Sequence, residues 1–333
     1  MLGEKDHAWL GALLVIRTTY DDDLFVRCLD AFEKGWIGPA PFVALQWGLA
    51  WKAVPPERLG RLIVLLRRRS DGESLNALLD LLDDLPFDPT AQFSSALVFD
   101  VVSRSIPDED GWGGVRGHSW KIVCEKLIQW DEKLATPLLD SILTQMGETY
   151  RLSYDSYVQS LTGDLVKADP DGAWDILVRH FELTLPKWRS DLLNWLKGGH
   201  PGFDSQEFRS PIADLPLEKI LKWIQHDPEI RASLMAHAAP RALTDEKGGQ
   251  LTRELLTRYP AIDGVKGGIS ATFHSGGWTG PTSVYLKKKR ESFRTWLGAG
   301  YSFEVMQWIE EEVVYLDKRI EEAEIEEERD RFA

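Results

Sequence analysis

Asp227-Pro228-Glu229-Ile230-Arg231 places an acid at the entrance of a helical stretch, a branched apolar residue three positions on, and an arginine beside it. Asp23-Leu24-Phe25-Val26-Arg27 has the same spacing near the start of the chain. An aspartate in that position accepts hydrogen bonds from N–H groups that lack partners in a first turn, and it sits in the positive end of the helix field. The spacing therefore predicts Asp227 and Asp23 as caps and sends Ile230 and Val26 into the core between helical layers. Arg231 and Arg27 should reach an acid in the adjoining layer. Ser302-Phe303-Glu304-Val305-Met306 is a degenerate third instance, with serine for the cap and methionine for the arginine. No strict period links the three.

Outward from these motifs, almost every apolar stretch follows helical spacing, and no run alternates apolar and polar residues between hairpin turns. The chain reads as all-α. Leu10, Leu13 and Leu14 mark a first helix, Leu24 and Leu29 a second, and Phe42, Leu45, Leu49 and Val54 a third. Leu59, Leu62, Leu65 and Leu66 mark the next, then Leu75, Leu78, Leu79, Leu81 and Leu82. Gly38-Pro39, Pro55-Pro56, Asp71-Gly72 and Asp88-Pro89 separate them, each stopping one helix so that the next begins at a new angle. Helices of about 12 to 18 residues on loops of about 2 to 6 suit antiparallel neighbours. Longer irregular stretches fall at 107–118, 198–216 and 263–281. The second divides a helical-repeat region, 1–200, from a carboxy-terminal helical region, 201–333, which carries a Gly/aromatic loop and an acidic capping helix.

The motif spacing resembles HEAT-type repeats, which implies an α-solenoid of stacked antiparallel helix pairs. Residues 217–329 also resemble the carboxy-terminal helical tails of large bacterial defence-associated NTPases. That likeness rests on Ala271-Thr272-Phe273-His274-Ser275-Gly276-Gly277-Trp278-Thr279-Gly280, followed by a basic helix and an acidic terminal helix. It implies a sensing or docking surface in an antiphage assembly. ATP hydrolysis does not come with it, because no glycine-rich loop ends in Gly-Lys-Ser/Thr.

Composition narrows the function classes. A chain of 333 residues that is 43% hydrophobic and 28% charged can offset its ordering entropy by burial. Its net charge of −14 opposes general affinity for nucleic-acid backbone. Cys28 and Cys124 lie in unrelated segments and read as buried thiols, giving neither a disulfide framework nor a paired-cysteine metal motif. With neither a signal peptide nor a window near the ~20 apolar residues of a membrane helix, a cytoplasmic protein is expected.

Phe273, His274 and Trp278 lie among glycines in a composition that suits a binding loop, or that packs its aromatic rings against the helix ends while Thr282 or Ser283 caps the next helix. Lys287-Lys288-Lys289-Arg290, with Arg294 a turn on, could grip an acidic partner or be neutralised by the glutamates of the last helix. Met306, Ile309, Val313, Leu316, Ile320 and Ala323 form a heptad-like seam, open to self-association or to intramolecular capping, and the chain past Glu326 should fray. Trp112, in a glycine-rich loop without dinucleotide spacing, is a further candidate contact.

The seven histidines are scattered and no Gly-x-Ser-x-Gly elbow is present, so no catalytic residue, metal or cofactor is expected. The expectation is a non-catalytic protein-interaction scaffold or sensing module in a bacterial defence assembly, with another protein as partner. The alternative is nucleic-acid binding through Arg61, Arg67, Arg68 and Arg69. A hydrolase or nuclease assembled from separate helices is the third possibility. The abrupt helical start would suit the tail of a longer protein.

Overall fold

The computed structural model describes residues 20–39, 42, 54–69, 71–85, 87, 93–106, 115–148, 156–183, 186–197, 210–239, 249–274 and 280–332. Every regular element among them is helical. None of these helices is long and apolar enough to cross a membrane. The chain divides into two compact units, Met1–Leu152 and Ser153–Ala333. Most of the irregular stretch at 198–216 lies outside the described residues; its end forms a 3-10 turn, Pro211–Asp214, that buries Pro211 and Ile212.

In the first unit the helices are α1 (Asp22–Glu33), α2 (Pro56–Arg69), α3 (Gly72–Asp84), α4 (Ser95–Arg104), α5 (Val115–Trp130) and α6 (Ala135–Glu148). Helix α5 begins at Val115, ahead of the expected loop end at His118. Helix α1 corrects the motif reading. Its cap is Asp21, whose carboxylate accepts from the Leu24 N–H at 2.9 Å, while Asp23 sits exposed inside the first turn. Moving the cap by two residues turns the helix by about 200°. Phe25, Cys28, Leu29 and Phe32 then face the core, Val26 is only half-buried and Arg27 is exposed. Three consecutive aspartates offer three caps, and the one that buries two phenylalanines prevails.

Neighbouring helices are joined at matching heights. Asp22 pairs with Arg58, Asp30 and Glu33 pair with Arg61, and Phe32 lies under Arg69, so α1 and α2 run parallel. The same holds for α3 and α5. Ser119 hydrogen-bonds to Asp80, and further along both helices Lys126 reaches the carbonyls of Asp83 and Leu85. A cation on the last carbonyls of α3 closes that helix against its own dipole.

The second unit contains α7 (Ser156–Ala168), α8 (Pro170–Leu183), α9 (Pro186–Leu196), α10 (Leu217–Ile224), α11 (Pro228–Ala238), α12 (Gly249–Arg258), α13 (Asp263–His274), α14 (Thr282–Trp296) and α15 (Phe303–Phe332). Asp227 caps α11 through the Ile230 N–H, with Pro228 in the first turn. Arg231 reaches Glu182 of α8 at 3.2 Å, donates to the Trp223 carbonyl and lies over the Trp223 ring at 4.5 Å. Two of the three expected roles are therefore filled. Ile230 is the exception at 60% exposed, because the core face of α11 is Ala232, Met235 and Ala236, on the other side of the helix.

That small-residue face explains why 263–274 misreads as irregular: its glycines at 264, 267 and 268 belong to helix α13, while 275–279 of the expected loop lie outside the described residues. A Cβ on Gly264 would strike the Ser233 side chain, and one on Gly268 would lie 2.8 Å from Ala236 Cβ and 3.2 Å from the His237 nitrogen. These glycines trade helix propensity for direct backbone contact. Because 264 faces 233 and 268 faces 236–237, α11 and α13 also run parallel, and α12 packs on both. Lys219 with Asp171 and Trp223 with Glu182 give α8 and α10 the same relation.

The glycines make opposite predictions at adjacent positions. A methyl group added at Gly267 would meet nothing within 4 Å, so Gly267→Ala should raise stability by about 0.5–1 kcal/mol. Gly268→Ala should lower it by about 1–3 kcal/mol through overpacking. Chemical denaturation of the two variants beside the parent chain measures both signs.

Candidate functional site

The candidate residues that the structure describes gather on α13, α14 and α15. Phe273 ends α13 buried, its ring 4.9 Å from Phe293 and 5.8 Å from Trp296, so it serves the core. Trp278 and Trp112 lie outside the described residues. His274 stays half-exposed, edge-on to Tyr315 and with Nε2 2.8 Å from Glu312 Oε2. The other oxygen of Glu312 accepts the Ser270 hydroxyl.

Serine, histidine and acid thus meet at one point, but their order excludes a nucleophilic triad. Such a triad needs the imidazole between hydroxyl and carboxylate so that it can take the serine proton. Here the carboxylate lies between. It binds both residues and clasps α13 to α15. Burial alone would push the Glu312 carboxyl up; the hydrogen bonds from His274 and Ser270 outweigh it and hold the group below its ordinary value.

The basic helix is answered internally. Lys287 pairs with Glu324, Arg290 with Asp317 at 2.7 Å, and Arg294 with Asp317 at 3.7 Å. Lys289 lies over the Tyr285 ring, and Lys288 is exposed. Position 283 matches 327 and position 290 matches 317, so α14 and α15 are antiparallel. Neither Thr282 nor Ser283 provides the expected cap. Glu327 accepts the Ser283 N–H at 2.9 Å and its hydroxyl at 2.7 Å, capping α14 from the neighbouring helix. The helix needed for this runs through Phe332, past the point where the fading seam suggests fraying.

The seam itself is spent inside the chain. Ile309, Leu316, Ile320 and Ala323 are buried, with Met306 and Val313 half-buried. The degenerate motif at 302–306 buries Val305 fully, while Ser302 Oγ lies 3.5 Å from the Val305 nitrogen. The face turned away from this seam holds what the sequence reading missed. Phe303 is 82% exposed, Val314 67% and Ile325 47%. They recur at intervals of about 11 residues, which is three turns of helix, and so form one line. A search for the heptad seam passes over that spacing.

Arg61 binds Asp30 and Glu33, Arg67 binds Asp100 and Arg69 binds Phe32, which leaves Arg68 exposed. Burial pushes the Cys28 thiol up to about 11 and that of Cys124 well above its usual range, so both stay protonated. Among the described residues no group of three or more His, Cys, Asp or Glu side chains is placed to hold a metal ion. Comparison of the chain with protein-family models, with curated proteins and with solved structures gives no match.

The clasp and the borrowed cap are separable by experiment. A carboxyl whose folded value is lowered gives its full stabilisation above the ordinary value of about 4.5 and loses it as pH falls through the lowered one. Glu312→Gln should therefore melt well below the parent chain near neutral pH, and thermal scans at descending pH should show that gap begin to close once pH falls under the ordinary value of about 4.5. Glu327→Ala should cost about 1 kcal/mol in denaturant titration, the usual loss for a removed cap.

Proposed function

We propose that this chain is a non-catalytic interaction module, a HEAT-like helical-repeat protein whose carboxy-terminal helix contacts another protein. The carrying observation is the outer line of Phe303, Val314 and Ile325, held on a helix whose opposite face is buried. Large apolar side chains aligned on a rigid element fit a partner's surface better than they fit water. The repeat reading draws support from parallel packing of α3 with α5, α8 with α10 and α11 with α13, since hairpins stacked in a row bring every second helix side by side. The motif arginine Arg231, which binds an acid of an earlier helix, adds to it.

Two further observations favour a protein partner. The Ser270, Glu312 and His274 group is wired for fastening, and three of the four arginines considered for a nucleic-acid groove are engaged by α1 and α4.

Isolation of the tagged full chain from its own cells, at native level, tests the module reading. A protein recovered at a fixed ratio through two purification steps is the expected result. Recovery of the chain alone would overturn it.

A further inference from the structure

We propose that the outer face of α15 docks a basic amphipathic helix of a partner protein; this rests on the interaction-module reading and names the class of partner. The geometry comes from the helix itself. Phe303, Val314 and Ile325 stand about 16.5 Å apart along one line, because about 11 residues make almost three whole turns at about 1.5 Å per residue. Glu310 and Glu321 fall between them on the same face and Glu328 just past Ile325, each a whole number of turns, to within about 20°, from Phe303 or Val314, and Lys318 stands one turn after Val314. All three glutamates are exposed, and none forms a salt bridge among the described residues. The inner acids behave differently: Glu312, Asp317, Glu324 and Glu327 all hold groups of α13 or α14.

Charge then selects the occupant. A second copy of this face would bring one row of glutamates against another, and like-charge contact opposes pairing. Nucleic acid and an anionic bilayer are repelled for the same reason. A helix with lysines or arginines between its own apolar residues meets both the apolar side chains and the glutamates of this face, and helix in groove or along a face is a common recognition mode. Three separated apolar contacts with long-range attraction predict a fast, salt-sensitive association of modest affinity.

The probe is a labelled synthetic peptide of about 25 residues with leucines about 11 residues apart, lysines beside them and alanine elsewhere, titrated with the full chain and followed by fluorescence anisotropy. A control peptide carries glutamate in place of lysine. The lysine peptide should bind and the control should not, and raising salt from about 50 to about 500 mM should weaken binding by about tenfold or more.

The deciding variant is Val314→Glu. It adds negative charge, so a purely electrostatic association would tighten, whereas docking that buries Val314 weakens by about tenfold. Ile325→Ser, which leaves the charge unchanged, should weaken binding in the same direction. Tighter or unchanged binding by Val314→Glu overturns the proposal, as does no binding of the lysine peptide. In native cells, loss of the co-purifying protein from both variants supports this face. Its retention by both overturns this face and leaves the module reading standing, while absence of any partner from the parent chain removes the module reading itself.

Discussion

The contact between Gly268 and the backbone at Ala236 and His237 holds α13 directly against α11. With no side chain between them, α11 and α13 meet backbone to side-chain stub, and Thr272 Oγ1 lies 3.4 Å from the His237 carbonyl one turn later. A gap closed this tightly has little freedom to rotate or slide, because packed interiors resist even a methylene. The last turn of α13 therefore delivers Ser270 and His274 to one place, where Glu312 receives them. Helix α15 is held by that clasp, and α14 is held by α15 through Asp317, Glu324 and Glu327. The order of dependence runs from a missing Cβ to a capped helix further along the chain.

Elsewhere parallel neighbours are joined by different chemistry. In the first unit Arg58, Arg61 and Lys126 bridge helices; in the second Lys219 and Arg231 do so. Pairs this exposed are individually worth about 0–1 kcal/mol, so they set register more than they supply stability. The stability comes from what lies beneath: Phe25, Leu29 and Phe32 under the first bridges, Trp174 and Trp223 beside the later ones. Arg231 joins both roles, since its guanidinium covers an aromatic face while reaching its acid.

Much of this is legible in the residues, and the failures share one cause. Helical spacing yields the fold class and most helices, because an apolar stripe is a property of one segment alone. The cap at Asp227 and the reach of Arg231 are legible for the same reason: both depend on local geometry plus one long side chain. Ile230, Asp23 and the glycines of α13 mislead because their roles depend on what packs against them. An isoleucine three residues past a cap points inward only if the neighbouring helix approaches from that side, and here the approach is over Ala232 and Ala236. Glycine weakens an isolated helix, so Gly264, Gly267 and Gly268 resemble a loop until a second backbone is placed against two of them. The borrowed cap at Ser283 is hidden likewise, since its acceptor lies 44 residues away in sequence.

The acids of α15 carry the last step. Glutamate near a helix carboxy-terminus opposes the dipole, at about 0.3–1 kcal/mol for each exposed group. Glu327 offsets that cost by capping α14. Glu326 and Glu328 face solvent on either side of it, and no salt bridge among the described residues repays them. Phe303 and Val314 conflict with their surroundings in the opposite sense, as apolar side chains held in water on the same helix. Local choices that disagree with local stability mark places where a sequence answers to something beyond its own fold. On α15 the exposed apolar side chains lie on the face turned away from its buried seam, while Glu312, Asp317, Glu324 and Glu327 are each answered by a group of α13 or α14. A helix that had only to pack against α13 and α14 would be polar on its outer side, and lysine would have served the last two turns better than glutamate.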